Sequence, residues 1–62
     1  MKNKIREYRE RAGLTQEQLA SLLRVSQTTI SFFESGKRFP DVACALRMAL
    51  ILRCKVEDIF LP

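Results

Sequence analysis

The sequence predicts a single compact all-α domain of five short helices, spanning residues 1–62. Two observations lead to this prediction. Apolar residues recur at spacings of three and four, the period of a helix that is buried on one side. N-cap residues and glycines divide the chain into helical segments, and no segment alternates apolar and polar residues as a half-buried strand does. With 47% hydrophobic and 29% charged residues, the composition is that of a folded globular protein.

The first two helices carry clear start and stop signals. The first is predicted over Lys4–Ala12, with Asn3 as its N-cap. Gly13 ends it, because glycine adopts the left-handed conformation after a helix without steric cost. Thr15, followed three residues later by Gln18, is a capping box that begins the second helix. The apolar face of that helix comprises Leu19, Ala20, Leu22 and Leu23.

Three further helices follow. Ser26 is the N-cap of the third, which ends at Gly36, and Asp41 is the N-cap of a fourth over Val42–Leu52. The core stripe of the fourth helix is predicted to comprise Val42, Ala45, Leu46, Ala49 and Leu52, with Cys44 and Met48 beside it. The last helix is predicted over Val56–Phe60, where two acids in the first turn suit the helix dipole.

Residue content argues against several kinds of function. The chain has no histidine to activate a serine or threonine, and its two glycines form no phosphate-binding loop. We therefore expect neither enzymatic activity nor a cofactor. Cys44 and Cys54, without histidine, are too few ligands for structural zinc, and no metal is expected. Reduced thiols are favoured over a disulfide because the N-terminus lacks a secretion signal, which predicts a cytoplasmic protein. No membrane association and no small-molecule ligand are expected.

The charge balance points toward an anionic partner. Eleven Lys and Arg against seven Asp and Glu give a net charge of +4. A small basic domain is attracted to nucleic acid or to anionic membrane surfaces. Lys2, Lys4 and Arg6 near the N-terminus are interpreted as a solvated face, and Tyr8 as the edge of the core.

Residues 16–35 fit a helix-turn-helix pattern. The inward apolar positions are Leu19, Leu23, Val25, Ile30 and Phe33. Gln27, Thr28 and Ser31 are polar and lie along the outer face of the second helix of the pair. The major groove of DNA, about 12 Å wide, admits one helix. The pattern therefore predicts that this helix enters double-stranded DNA while the first helix of the pair crosses the phosphate backbone.

Three segments, Leu14–Ala20, Val25–Ser31 and Glu34–Arg38, resemble the phage repressor and Cro family, also called the xenobiotic-response-element type. The ending Val56–Phe60 is similar to the closing helix of that family. The resemblance implies a lambda-repressor-like fold and a sequence-specific transcriptional regulator. It also implies a repressor that binds operator DNA as a homodimer.

The resemblance assigns roles to individual residues. Base contacts are implied for Gln27 and Thr28, with Ser31 and Phe32 further along the groove. Phosphate contacts are expected from Gln16, Ser26, Lys37 and Arg38. In the family an arginine at the position of Arg9 pairs with the glutamate at Glu34, which gives Arg9 a structural role.

Three positions depart from the family pattern. Arg24 and Arg53 stand where glycine is usual, and each costs about 1 kcal/mol if its backbone is left-handed. Phe32 lies on the reading face, where it either packs on thymine methyl groups or is shielded by a neighbouring side chain. Both alternatives remain open on the sequence alone.

A dimer interface and an alternative function complete the expectations. Candidates for the interface are Leu50, Ile51 and Phe60, unless the C-terminal segment 60–62 folds over the apolar patch. The alternative function is a protein-interaction module on the same scaffold, such as an antitoxin-like or adaptor partner. Lys37 and Arg38 favour DNA, whereas Phe32 on the reading face favours a protein partner.

Overall fold

A computed structural model describes residues 3–60 of the chain. Its five helices are α1 (Ile5–Arg11), α2 (Gln16–Leu23), α3 (Gln27–Ser35), α4 (Val42–Leu52) and α5 (Val56–Phe60). The all-α prediction is confirmed, since no strand occurs in the part of the chain that the structure describes. The predicted solvation of Lys2 falls on a residue outside the described range. Leu61 and Pro62, which belong to the alternative in which the C-terminal segment folds over the apolar patch, also lie outside it.

Side-chain caps begin three of the helices where the sequence predicts them. Thr15 Oγ1 accepts from the Gln18 backbone N–H at 3.0 Å, and Gln18 Oε1 accepts from the Thr15 N–H at 2.9 Å. This reciprocal pair is the predicted capping box at the start of α2. Ser26 caps α3 and Asp41 caps α4 in the same way, each accepting from the backbone three residues ahead. These caps fix the start of each helix to a single residue.

The start of α1 differs from the prediction by one residue. Lys4 occupies the N-cap position and its side chain forms no capping hydrogen bond. Asn3 lies one residue earlier, where its Oδ1 accepts from the Ile5 N–H at 3.0 Å. Its Nδ2 donates to the Phe33 carbonyl oxygen at 2.7 Å, which ties the start of α1 to α3. Asn3 therefore joins two helices in addition to supporting a helix start.

The core lies between the helices and is formed by apolar side chains from all five. Its buried members are Ile5, Leu19, Ala20, Leu23, Ile30, Phe33, Met48, Ala49, Leu52 and Ile59. The inward positions predicted for α2 and α3 are confirmed, except that Leu22 of α2 is 51% exposed. Tyr8 is half-buried at the edge of the core, as expected.

The predicted core stripe of α4 is wrong at two positions. Val42 is 76% exposed and Leu46 is 54% exposed, whereas Met48 is fully buried. The reason is that α4 carries apolar residues on nearly every side, so its periodicity does not single out one face. Packing against α2 and α5 selects the face that is buried.

Two helices end on left-handed arginines. Arg24, after α2, has φ 59° and ψ 42°, and Arg53, after α4, has φ 55° and ψ 48°. Gly13 and Gly36 adopt the same region after α1 and α3. The condition stated for both arginines is thus met, and each carries the steric cost that a β-carbon meets there.

Both cysteines are half-buried free thiols. Burial raises the pKa of each thiol, helped by the carboxylate of Asp41 at Cys44 and of Asp58 at Cys54. Both groups are therefore held in the protonated form at neutral pH. None of the helices within residues 3–60 has the length and apolarity needed to cross a membrane.

Candidate nucleic-acid interface

The turn between α2 and α3 holds the two helices in direct contact. Leu19 and Ala20 on α2 are buried with Ile30 on α3, and the Val25 N–H donates to the Ala20 carbonyl oxygen at 3.0 Å. The left-handed Arg24 reverses the chain at this point. Burial of these apolar residues leaves the opposite face of α3 directed away from the core.

That outer face of α3 carries the predicted base-reading residues. Gln27, Thr28 and Ser31 are exposed, and Phe32 is half-buried. Gln27 and Ser31 are four residues apart, as are Thr28 and Phe32, so the four form neighbouring pairs on the helix surface. Within residues 3–60, the side chains of Gln27, Thr28 and Ser31 form no hydrogen bond to another residue. Their donors and acceptors are available to a ligand.

The aromatic ring of Phe32 is covered by a neighbouring cation. Lys37 Nζ lies 5.7 Å from the centroid of the ring, within the range of a cation–π contact. The backbone N–H groups of Lys37 and Arg38 both donate to the Phe32 carbonyl oxygen, at 3.0 and 3.3 Å. Of the two alternatives for Phe32, the structure thus favours shielding by a side chain. Phe32 also anchors the segment that carries Lys37 and Arg38, both of which are exposed.

A buried ion pair fixes α3 to α1. Arg9 Nε lies 2.6 Å from Glu34 Oε2, and the two side chains are only 11% and 7% exposed. Arg9 also donates to Glu34 Oε1 at 3.4 Å and to the Leu14 carbonyl oxygen at 2.8 Å. This confirms the pairing that the family resemblance implied. Arg9 is therefore part of the scaffold and is not available to DNA.

The same glutamate orients the first residue of α2. Gln16 Nε2 donates to Glu34 Oε1 at 3.0 Å. One N–H of the Gln16 amide is used in this contact, and the second remains able to donate to a phosphate. The sequence did not predict this hydrogen bond, because the two residues are 18 positions apart and meet only after the helices pack.

Ser26 has both a capping role and a position at the start of α3. Its Oγ accepts from the Thr29 backbone N–H at 3.1 Å and lies 2.8 Å from Thr29 Oγ1. When the Thr29 hydroxyl is the donor in the second contact, the Ser26 O–H is still able to donate to a phosphate. The predicted phosphate contact is compatible with the cap.

A polar cleft beside the reading face brings Arg6 and Ser35 together with Gln16 and Ser31. The cleft has a volume of about 220 Å³ and is lined by Arg6, Gln16, Ser31, Glu34 and Ser35. Arg6 is exposed, as predicted, and forms a 3.5 Å ion pair with Glu10. Arg6 and Arg9 are three residues apart on α1, a spacing that places them on neighbouring parts of the helix surface. That spacing was the signal that could have connected Arg6 with the reading helix.

The candidate dimer residues do not all face the same region. Leu50 is 80% exposed and lies on α4 with the exposed Val42 and Leu46. Half-buried Phe60 lines a groove of about 240 Å³ together with Phe39, Pro40, Val42, Ala45 and Val56. Half-buried Ile51 lines a different cleft, of about 600 Å³, with Tyr8, Leu22 and others. We use "α4 apolar surface" for Phe39, Val42, Leu46 and Leu50.

No group of three or more metal-binding side chains lies together within residues 3–60.

Comparison with known proteins places this arrangement in a family. The family model described as Helix-turn-helix matches residues 5–59. An uncharacterised HTH-type transcriptional regulator of Archaeoglobus fulgidus is 39% identical over 61 residues, which are 98% of this chain and 87% of that protein. A second uncharacterised HTH-type transcriptional regulator, from Methanocaldococcus jannaschii, is 46% identical over 61 residues, which are 98% of this chain and 92% of that protein.

Two further matches are to proteins that are longer than this chain. The HTH-type transcriptional activator BcrR of Enterococcus faecalis is 51% identical over 39 residues, which are 63% of this chain and 19% of that protein. The crystal structure of a transcriptional regulator from Listeria innocua has the same fold, with a TM-score of 0.75 at 24% identity over 94% of this chain. This chain spans 58% of that regulator's length. With the family match covering nearly all of its described residues, this chain belongs to the helix-turn-helix family of transcriptional regulators, of the Cro and phage repressor type.

Proposed function

We propose that this chain is a sequence-specific DNA-binding regulator that inserts α3 into the major groove. The observation that carries the proposal is the exposed polar face of α3, held on a buried scaffold and followed directly by exposed Lys37 and Arg38. A helix of this kind fits a groove about 12 Å wide. Helix-turn-helix proteins read bases from the N-terminal part of that helix.

Base recognition is assigned to the first two turns of α3. Gln27 has a free amide that can pair in a bidentate manner with adenine. Thr28 can donate to a base or touch a thymine methyl group, and Ser31 can bond to either partner further along the groove. Phe32 belongs to the same face, but with Lys37 above its ring we assign it mainly to positioning that cation.

Phosphate contacts are assigned to both sides of α3, which we call the reader. Lys37 and Arg38 are assigned to one DNA strand. The proposal is supported by their position in the loop that follows α3, where their backbone N–H groups donate to the Phe32 carbonyl oxygen. Gln16 and Ser26 stand at the N-termini of α2 and α3, where the helix dipole favours an anion. These contacts set the register of the reader without selecting a sequence.

We further propose a symmetric homodimer, because a single reading helix covers too few base pairs for high specificity. Two half-sites lie about 34 Å apart along one face of DNA. The α4 apolar surface, extended by Phe60, is the interface that we propose. An exposed apolar surface on a basic domain favours a protein contact. Leu50, at 80% exposure, is its most exposed large side chain.

Sedimentation tests this interface. Leu50→Lys places a charge in the proposed contact and is expected to convert the dimer to a monomer. Leu22→Lys is the matched control, since Leu22 is a leucine that is 51% exposed outside the α4 apolar surface. A wild-type protein that is monomeric at high concentration, or a Leu50→Lys variant as dimeric as the wild type, would show that the interface is elsewhere.

The regulatory role that we propose is repression in the cytoplasm, by occupying promoter DNA. Occupation of a promoter excludes polymerase from the same site. A reporter carrying the bound sequence within its promoter should lose expression when the protein is present. An increase in expression would instead indicate an activator, the activity named for the relative from Enterococcus faecalis.

Selection of bound duplexes from a random DNA pool is the experiment that tests DNA reading. A two-fold symmetric enriched sequence is expected, because a symmetric dimer reads two half-sites. Binding to that duplex should weaken steeply with salt through counterion release. Recovery of no enriched sequence would favour the protein-interaction module, whose one supporting feature, Phe32, is covered by Lys37 in this structure.

A further inference from the structure

We propose that the polar cleft between α1, the start of α2 and the end of α3 binds a DNA backbone phosphate, and that Arg6 is its cation. The inference rests on the proposed function and adds a residue to it. The cleft is lined by Arg6, Gln16, Ser31, Glu34 and Ser35. It shares Ser31 with the reading face, so a ligand in the major groove passes directly beside it.

The charges around the cleft suit an anion. Glu34 is the one carboxylate in its lining, and it is compensated by the guanidinium of Arg9 at 2.6 Å and by Gln16 Nε2 at 3.0 Å. Arg6 is the one cation in the lining, and its side chain is 73% exposed. Because Arg9 offsets the charge of Glu34 from outside the lining, the exposed guanidinium of Arg6 is the charge in the lining that can reach toward a ligand. Guanidinium groups bind phosphate oxygens through two parallel hydrogen bonds.

The neutral members of the cleft provide further donors. The hydroxyl group of Ser31 and the remaining N–H of Gln16 can each donate to a phosphate oxygen. The Ser35 hydroxyl instead donates to the Phe32 carbonyl oxygen at 3.2 Å. Lys37 and Arg38 lie beyond the C-terminus of α3, whereas Arg6 lies on α1. The reader would thus have cations from two different elements, α1 and the loop that follows α3.

The present partner of Arg6 is weak enough to be exchanged. Glu10 Oε2 lies 3.5 Å from Arg6 Nε, and the Glu10 side chain is 58% exposed. Exposed pairs of this type, four residues apart on a helix, contribute little to stability. A phosphate entering the cleft can therefore replace Glu10 as the partner of Arg6 at small cost.

The chain offers a matched control on the same helix. Arg11 and Glu7 form a second ion pair at 3.5 Å, with side chains that are 66% and 52% exposed. Arg11 lines the separate cleft that includes Ile51 and does not line the polar cleft. Arg6→Gln and Arg11→Gln therefore remove the same charge and the same kind of ion pair, but only the first changes the proposed phosphate site.

Salt titrations on the duplex recovered by selection test the proposal. Arg6→Gln should lower the slope of log affinity against log salt by about 0.9, the value for one phosphate contact, and Arg11→Gln should leave it near that of the wild type. Taking 1 M salt as the reference, the same contact corresponds to about eight-fold weaker binding at 0.1 M. An unchanged slope for Arg6→Gln, or an equal drop in both variants, would overturn the assignment.

Two further measurements identify the contact itself. Glu10→Gln releases Arg6 and should strengthen binding about two- to five-fold more than Glu7→Gln does. Ethylation of one phosphate in each half-site should weaken the wild type and leave Arg6→Gln unaffected. Equal effects of the two glutamate variants, or an ethylation pattern shared by wild type and Arg6→Gln, would refute the role of Arg6. Absence of salt-dependent binding by the wild type would instead refute the proposed function.

Discussion

Replacing Arg9 by methionine should destabilise the domain more than replacing any exposed arginine. The guanidinium of Arg9 donates to Glu34 at 2.6 and 3.4 Å and to the Leu14 carbonyl oxygen at 2.8 Å. Methionine fills much of the same volume but donates no hydrogen bond. The carboxylate of Glu34, which is 7% exposed, would keep Gln16 as its remaining partner among these contacts.

The expected loss is large for a domain of this size. Removing one partner of a buried ion pair costs about 3–5 kcal/mol, because the other charge is left without compensation. A chain of 62 residues has a free energy of unfolding of about 3–9 kcal/mol in total. A loss of 3 kcal/mol corresponds to a decrease of at least about 12 °C in the midpoint of thermal unfolding.

Thermal and urea unfolding followed by circular dichroism measure this effect, with Arg11→Met as the control. Arg11 pairs with Glu7 at 3.5 Å, lies 5.1 Å from the centroid of the Tyr8 ring and has a side chain that is 66% exposed, so its loss should cost about 1 kcal/mol. The double variant Arg9→Met/Glu34→Met should recover at least half of the loss, because no buried charge remains unpaired. If Arg9→Met and Arg11→Met unfold at the same midpoint, the reasoning about the buried pair is wrong.

Three other substitutions test the reader and its scaffold. Gln27→Ala should weaken binding to the selected duplex by about 1–3 kcal/mol and relax the preference at one base pair, whereas equal weakening on all duplexes would make Gln27 a backbone contact. Lys37→Ala should weaken binding to all duplexes alike and lower the salt slope by about one, and a changed base preference at constant slope would contradict this. Arg24→Gly should raise the free energy of unfolding by about 0.5–1 kcal/mol through relief of left-handed strain at φ 59°; a lower urea midpoint would show that the arginine stem stabilises the turn.

Features encoded in short segments were predictable from the sequence. The capping box of Thr15 and Gln18 and the caps Ser26 and Asp41 depend on residues three positions apart, so the helix starts could be located before any packing was known. The buried face of α4 could not be located in this way. Val42, Leu46 and Met48 are all apolar, and the choice among them depends on where α2 and α5 lie.

The candidate site also combines features that short segments predict with contacts that depend on packing. The polar residues of the reading face lie on consecutive turns of one helix. Their exposure follows from the burial of Ile30 and Phe33 on the other side of that helix. The contacts of Gln16 with Glu34 and of Arg6 with the polar cleft join residues far apart in the sequence. Such contacts depend on the relative positions of three helices, which local pattern does not contain.

The buried ion pair has a consequence for DNA reading that an apolar contact could not provide. In proteins generally, well-packed apolar residues in place of a buried ion pair are often at least as stabilising. However, the carboxylate of Glu34 also holds Gln16 at the start of α2, and Arg9 holds the Leu14 carbonyl oxygen just before it. One network therefore fixes α1, the start of α2 and the end of α3, the three elements that border the polar cleft. The proposed phosphate contact lies beside α3, and the proposed base contacts lie along it. Both require this fixed geometry, because a shift of α1 relative to α3 would move the phosphate-binding residues away from DNA when the base-reading residues are in place.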